Sequence, residues 1–281
     1  MPLAQLLSAQ ALVERLTQPD LRILDCRFAL DAPDQGARQY AEGHIPGAQY
    51  ADLERDLSGP VIPGVTGRHP LPQAQALIAR LRHWGLSNDS QIVLYDGGPG
   101  AFAARAWWLL AWLGKRDGVY LLDGGYKAWR EADLPIDLQA TMLPMGTFEG
   151  QPDDELTIDA EQIRAALGSG QQTLLDARAL PRFLGEVEPI DPVAGHIPGA
   201  HCVPFTDNLD ANGRFRTVAE LKKRFGPYLA ERHAQPLVAY CGSGVTACHN
   251  LFALSLAGYP LARLYPGSWS EWITQPDRPV G

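Results

Sequence analysis

Short apolar runs alternate with longer stretches of helical period along this chain. Leu21 to Leu24, Ile92 to Tyr95, Val119 to Leu122, Thr173 to Leu175, Leu237 to Tyr240 and Ala262 to Tyr265 are three- or four-residue runs that read as buried strands. Between them, Ala4 to Leu16, Pro72 to His83, Ala101 to Leu113, Asp159 to Leu167, Val218 to Phe225 and Ala247 to Leu256 carry apolar residues at helical spacing. Strands that alternate with helices predict an α/β protein, its mainly parallel sheets covered by helices on both faces. Ligands of such sheets bind at the carboxyl ends of the strands.

The pattern occurs twice. Leu24-Asp25-Cys26-Arg27 returns as Leu175-Asp176-Ala177-Arg178, and Gly43-His44-Ile45-Pro46-Gly47-Ala48 returns unaltered at 195–200. Tyr95-Asp96-Gly97-Gly98 returns as Tyr240-Cys241-Gly242-Ser243, and Gly124-Gly125-Tyr126-Lys127-Ala128-Trp129 as Gly267-Ser268-Trp269-Ser270-Glu271-Trp272. Two copies at nearly constant offset mean a duplicated domain rather than a solenoid. The proline-, glycine- and acid-rich stretch around Pro144 to Asp154 is the expected linker, which sets domains at 1–138 and 157–281 with 139–156 between them.

The bulk numbers narrow the partners. The 281 residues allow two ordinary cores. A formal charge of −8 argues against nucleic acid or an anionic membrane, so an anionic ligand needs a locally positive site. No apolar run is long enough to span a bilayer, and the first residues lack the pattern of a signal peptide. Four cysteines do not make a disulfide framework, and a reduced, cytoplasmic setting is expected.

The chemistry concentrates at Cys241-Gly242-Ser243-Gly244-Val245-Thr246-Ala247. A strand ends here and a helix begins. Glycines allow several N–H groups to point at one atom, and a helix N-terminus favours negative charge. A thiol in that loop is expected to lose its proton more easily and act as a nucleophile. The first half carries Asp96 at the matching position, no comparable nucleophile, and is expected to wall the site. Cys26, Cys202 and Cys248 read as small buried hydrophobes, and the tryptophans as packing. Asp25, Arg27, Asp176 and Arg178 recur in the half without the cysteine, which favours structural ion pairs. His249 beside Cys248 lacks a second cluster at ligand spacing, so no metal is expected there. A cysteine phosphatase would need an arginine six residues after the nucleophile; that residue is Ala247.

The two His-Ile-Pro-Gly-Ala motifs, the Cys241 loop and Tyr265-Pro-Gly-Ser-Trp-Ser-Glu-Trp272 resemble the tandem-domain sulfurtransferases, rhodanese and 3-mercaptopyruvate sulfurtransferase, over nearly the whole chain. The resemblance implies two rhodanese-like domains and a persulfide on Cys241, cradled by the N–H groups of Gly242 to Ala247, with no metal or organic cofactor. Sulfur from a small anionic donor would pass to cyanide or a thiol, including a thioredoxin-like protein. The uncharged Gly242 and Ser243 look like the mercaptopyruvate type, since thiosulfate-type members carry basic residues there. Thiosulfate is the alternative donor, and a non-enzymatic regulatory or persulfide-carrier module the alternative of another class. The resemblance further implies that Ser243 acts with His44 and an aspartate, for which Asp34 is the candidate. It implies that Arg182 binds the donor carboxylate together with a second arginine, yet Glu186 to Pro192 has no basic residue. Arg105 resembles a position that helps from the first domain, with an interface ion pair as its other reading.

Overall fold

The computed structural model describes residues 3–230 and 236–281. In the first half, β1 (Gln5–Leu7), β2 (Leu21–Asp25), β3 (Gln49–Tyr50), β4 (Gln91–Tyr95) and β5 (Val119–Leu122) form one sheet in the order β1-β5-β4-β2-β3, with every pairing parallel. α1 (Ala9–Val13), α2 (Gln35–Glu42), α3 (Ala74–His83), α4 (Ala101–Trp112) and α5 (Gly125–Glu131) connect the strands. Alternation along β4 shows why both faces need cover. Ile92 and Leu94 join a core with Leu77, Leu81 and Trp107, whereas Val93 and Tyr95 join Leu12 and Trp129 on the other face.

The second half repeats the plan. After α6 (Ala160–Ala166), the strands β6 (Thr173–Asp176), β7 (His201–Cys202), β8 (Leu237–Tyr240) and β9 (Arg263–Leu264) pair in parallel in the order β7-β6-β8-β9. α7 (Leu180–Phe183), α8 (Val218–Ala230), α9 (Thr246–Leu256) and α10 (Ser268–Trp272) complete it. Asp159 and Gln162 form a capping box that fixes the start of α6. Val238 and Tyr240 pack with Ile163, Trp269 and Trp272, while Leu237 and Ala239 join the core that holds Leu221 and Phe225.

Both halves fasten the same loop in the same way. Arg27 pairs with Asp25 at 2.5 Å and donates to the Gly43 carbonyl at 2.8 Å; Arg178 pairs with Asp176 at 2.7 Å and donates to Gly195 at 2.7 Å. Each pair is buried and ties a strand end to a His-Ile-Pro-Gly loop. His44 and His196 stack on Tyr40 and Phe183, and their Nδ1 atoms lie 2.8 Å from the Tyr40 and Phe183 carbonyls.

The halves share one continuous core. α4 and α9 are apolar around most of their circumference, because each has its own sheet on one side and the other helix on the opposite side. Trp107 meets Phe252 edge to face at 5.0 Å across that contact.

One expectation about elements fails, and another gains a physical account. The helix expected from Ala4 to Leu16 is a strand followed by a short helix: Gln5 to Leu7 add to the edge of the sheet on β5, and Ser8 caps the helix that begins at Ala9. The expected linker is no free tether. Gly146 and Phe148 donate to the Arg82 and Leu86 carbonyls, Gln151 and Asp153 to Leu113 and Trp112, and Phe148 is fully buried. A buried aromatic and four backbone hydrogen bonds outweigh the loop-like composition.

Candidate functional site

Cys241 stands at the carboxyl end of β8, one turn before α9, and is 2 % exposed. Its N–H donates to Ser268 Oγ at 3.1 Å, and its carbonyl accepts from Trp269 N at 2.9 Å. The Ser243 N–H points at Cys241 Sγ at 3.5 Å. Gly244 has φ +77°, and a Cβ there would collide with the Pro266 carbonyl, so glycine is required on both counts. Val245 and Ala247 are buried and Thr246 opens the helix. The loop residues singled out in the sequence therefore form one turn around the thiol.

An arm of the first domain completes the site. Between β3 and α3 the chain crosses to the second domain, where the Arg68 N–H donates to Ser270 Oγ at 3.0 Å. His69 Nδ1 lies 2.8 Å from Ser243 Oγ, both residues being buried. Burial, followed by the nearby charges of Arg105 and Arg68, pushes His69 down to about 3, so its imidazole is neutral around pH 7.

This corrects three readings of the sequence. His44 does not meet Ser243. Its ring is committed to Tyr40, as His196 is to Phe183, because a motif present in both halves anchors a loop that both halves contain. Asp34 is exposed at the start of α2 and makes no side-chain cap. No carboxylate among the described residues hydrogen-bonds His69, so its partners are Ser243 and the two arginine charges rather than an aspartate. Arg105 is wholly buried, closed to a donor, and in no ion pair among the described residues. Its Nη1 donates to the Gly244 carbonyl at 3.0 Å and its Nη2 reaches the carbonyls of Leu57, His69 and Pro70 at 3.2–3.4 Å. It bolts the Cys241 loop to the arm.

Arg182 lies beside the Cys241 loop. It projects from α7 toward Gly242, held by Glu188 at 2.6 Å and Asp191 at 3.1 Å. Arg68, absent from the sequence reading, approaches Gly242 from the opposite domain and pairs with the same Asp191. His69 and Arg68 were missed because neither lies in one of the four duplicated motifs that stand out in the sequence. One signal was available: Gly67-Arg68-His69 aligns with Gly213-Arg214-Phe215 at an offset of 146.

That counterpart makes the reciprocal crossing. Phe215 N donates to Asp123 Oδ1 at 3.0 Å and Arg214 Nη1 to the Asp123 carbonyl at 3.1 Å, beside the first domain's own loop. There Asp96 fills the position of the thiol. Its carboxylate accepts the N–H groups of Gly98, Gly100, Phe102 and Ala103 at 2.9–3.4 Å. The N–H groups of this loop are taken by its own side chain, which leaves it closed to an outside anion.

Comparisons with known proteins agree with this geometry. The chain matches the rhodanese-like domain family twice, over residues 8–132 and 159–275. A probable 3-mercaptopyruvate sulfurtransferase of Pseudomonas aeruginosa is 66% identical over 277 residues, covering 99% of this chain and 98% of that protein. The thiosulfate sulfurtransferase of Cricetulus griseus is 35% identical over 92% of this chain and 86% of its own. The crystal structure of SseA from Escherichia coli, in work on 3-mercaptopyruvate sulfotransferases, superposes with a TM-score of 0.82 at 33% identity, covering 95% of this chain and all of that one.

Proposed function

The chain belongs to the tandem-domain sulfurtransferases built from rhodanese-like domains, and on that premise we propose that 3-mercaptopyruvate is its favoured donor and Cys241 its sulfur carrier. The enzyme moves sulfur from a donor to an acceptor. In this reading the Cys241 thiolate attacks the donor sulfur, the S–C bond breaks, and its electron pair leaves as the enolate of pyruvate, which takes a proton to become pyruvate. Cys241 is left as a persulfide. A thiolate or cyanide then attacks the outer sulfur, the S–S bond breaks, and the Cys241 thiolate returns. Two displacements on one nucleophile give ping-pong kinetics.

The observation that carries the donor assignment is the Ser243–His69 pair, 2.8 Å apart beside Cys241. Charge develops on the keto oxygen of 3-mercaptopyruvate as its S–C bond breaks. A hydroxyl whose oxygen is held by neutral imidazole N–H can donate to that oxygen. Thiosulfate leaves as sulfite and needs no such donor. The Asp96 loop supports the persulfide. Oδ of aspartate and the outer sulfur of a persulfide are both three bonds from Cα, and the four N–H groups around Asp96 illustrate how a related loop holds an acceptor atom at that reach.

The remaining assignments follow the same reading. The working units are 1–138 and 157–281, joined by 139–156. The acceptor is a small thiol, cyanide or a thioredoxin-like protein in a reducing cytoplasm, consistent with four free cysteines. No helix among the described residues is long and apolar enough to cross a membrane. Steady-state transfer to cyanide tests the donor: kcat/KM for 3-mercaptopyruvate should exceed that for thiosulfate by at least about ten-fold. A preference for thiosulfate would overturn the donor assignment.

A further inference from the structure

The two guanidinium groups beside Gly242 are held from behind and free in front. Arg182 gives Nε and Nη2 to Glu188 and Nη2 to Asp191. Arg68 gives Nη1 to Asp191. Asp191 therefore bridges the two arginines with one oxygen on each, and its own side chain is 3 % exposed. The remaining amino groups, Arg68 Nη2 and Arg182 Nη1, have no hydrogen-bond partner among the described residues. They face the residue after the nucleophile: a Cβ on Gly242 would lie 2.9 Å from Arg68 Nη2 and 3.6 Å from Arg182 Nη1. Arg68 is 30% exposed and Arg182 18%, so water or a ligand reaches both.

We infer that Arg68 of the first domain and Arg182 of the second together clamp the carboxylate of the donor, with Asp191 as the positioning residue that fixes their separation. The inference rests on the donor reading above and adds its missing part. A carboxylate held by one guanidinium can swing about that contact; two guanidiniums from opposite sides set both its position and its plane. The segment after Arg182 supplies acids, Glu188 and Asp191, and no second cation. The second cation arrives instead from across the domain interface, on the same arm that delivers His69. The bridging Asp191 shows that the spacing of the two arginines accommodates one planar carboxylate. Gly242 belongs to the device, because any side chain there would displace Arg68 Nη2. The positive charge that could have been carried by residue 242 itself is carried by Arg68 in the same place.

Arg68→Ala should raise KM for 3-mercaptopyruvate about ten- to a hundred-fold with a much smaller change in kcat, the mark of lost uniform binding. Arg68→Lys, which keeps the charge and loses the fork, should recover part of that loss. The inhibition constant of pyruvate, a carboxylate without the sulfur, should rise in step with KM. Asp191→Asn should raise both by a smaller factor, a shift that a purely structural role would not produce. An Arg68→Ala or Arg68→Lys enzyme with wild-type Tm, unchanged KM and unchanged pyruvate inhibition would overturn the clamp. Failure of the donor reading is distinguishable, since it appears in the wild-type enzyme as no turnover of 3-mercaptopyruvate before any variant is made.

Discussion

His44 and His69 contain the same ring and do different work, and the difference is one of surroundings. His44 stacks on Tyr40 at 3.9 Å and spends Nδ1 on a carbonyl of the preceding helix. His69 spends Nδ1 on the hydroxyl beside the nucleophile. His69→Asn should therefore lower kcat/KM for 3-mercaptopyruvate about 10²-fold, the lower end for general acid–base groups. His44→Asn should stay within a few-fold of wild type and instead cost about 1–2 kcal/mol in urea unfolding, for a buried hydrogen bond and stack. Equal kinetic loss in both variants would return His44 to the site. The sequence made the wrong histidine prominent for a physical reason. Duplicated residues mark what both domains need in order to fold, and chemistry lies where the copies differ. Cys241 faces Asp96 in the repeat, Ser243 faces Gly98, and His69 faces Phe215. Read by difference, the repeat points at all three.

Between residues and the molecule stand the loop, the arm and the bolt that joins them. Arg105 is a fully buried cation with no carboxylate partner among the described residues, held by carbonyls of both domains. Burial pulls its pKa down, with the nearby Cys248 thiol opposing. Replacing a buried ion pair by apolar side chains is often harmless, because both charges leave together. Here Arg105→Met would relieve one desolvated cation and strand the carbonyls of Leu57 and His69, while those of Pro70 and Gly244 keep the Gly59 N–H and the Cys248 thiol as donors. At about 1–3 kcal/mol for each unsatisfied polar group, the carbonyls win. The variant should lose about 2–4 kcal/mol in denaturant unfolding, with activity falling as the arm and loop part. Neutral or raised stability would show that the carbonyls find other partners. The central strands β4 and β8 were legible from their apolar runs, as were α4 and α9. The edge was not. Gln5 to Leu7 belong to an apolar, helix-permissive stretch, and only pairing with β5, distant in sequence, makes them a strand.

For the molecule as a whole, the surroundings of Cys241 are built by both domains, and the interface keeps its histidines uncharged. His249 Nε2 lies 2.9 Å from the Pro99 carbonyl of the first domain, its Nδ1 3.1 Å from Asn208, and its ring stacks on Phe215 at 4.6 Å. Burial pushes it down to about 4, and His69 to about 3, from 6.5 when exposed. The unfolded chain takes up these protons near pH 6.5 and the folded one does not, so stability rises with pH. This contribution is present in full above pH 6.5 and is lost as pH falls toward 4, by up to about 1.4 kcal/mol per pH unit for each histidine. Urea midpoints should drop between pH 7 and pH 5, and His249→Gln should flatten that drop; an identical drop in the variant would contradict it. The duplicated sheets could be read from the sequence, whereas the crossing arms could not, since nothing local in Gly67 to His69 says which domain it will touch. The claim on which all of this depends is a sulfur carried on Cys241. Incubation with 3-mercaptopyruvate followed by intact-protein mass spectrometry should show the gain of one sulfur atom, removed by cyanide and absent from Cys241→Ser; a wild-type enzyme that releases pyruvate and never gains the sulfur, or a Cys241→Ser variant that does, would contradict it.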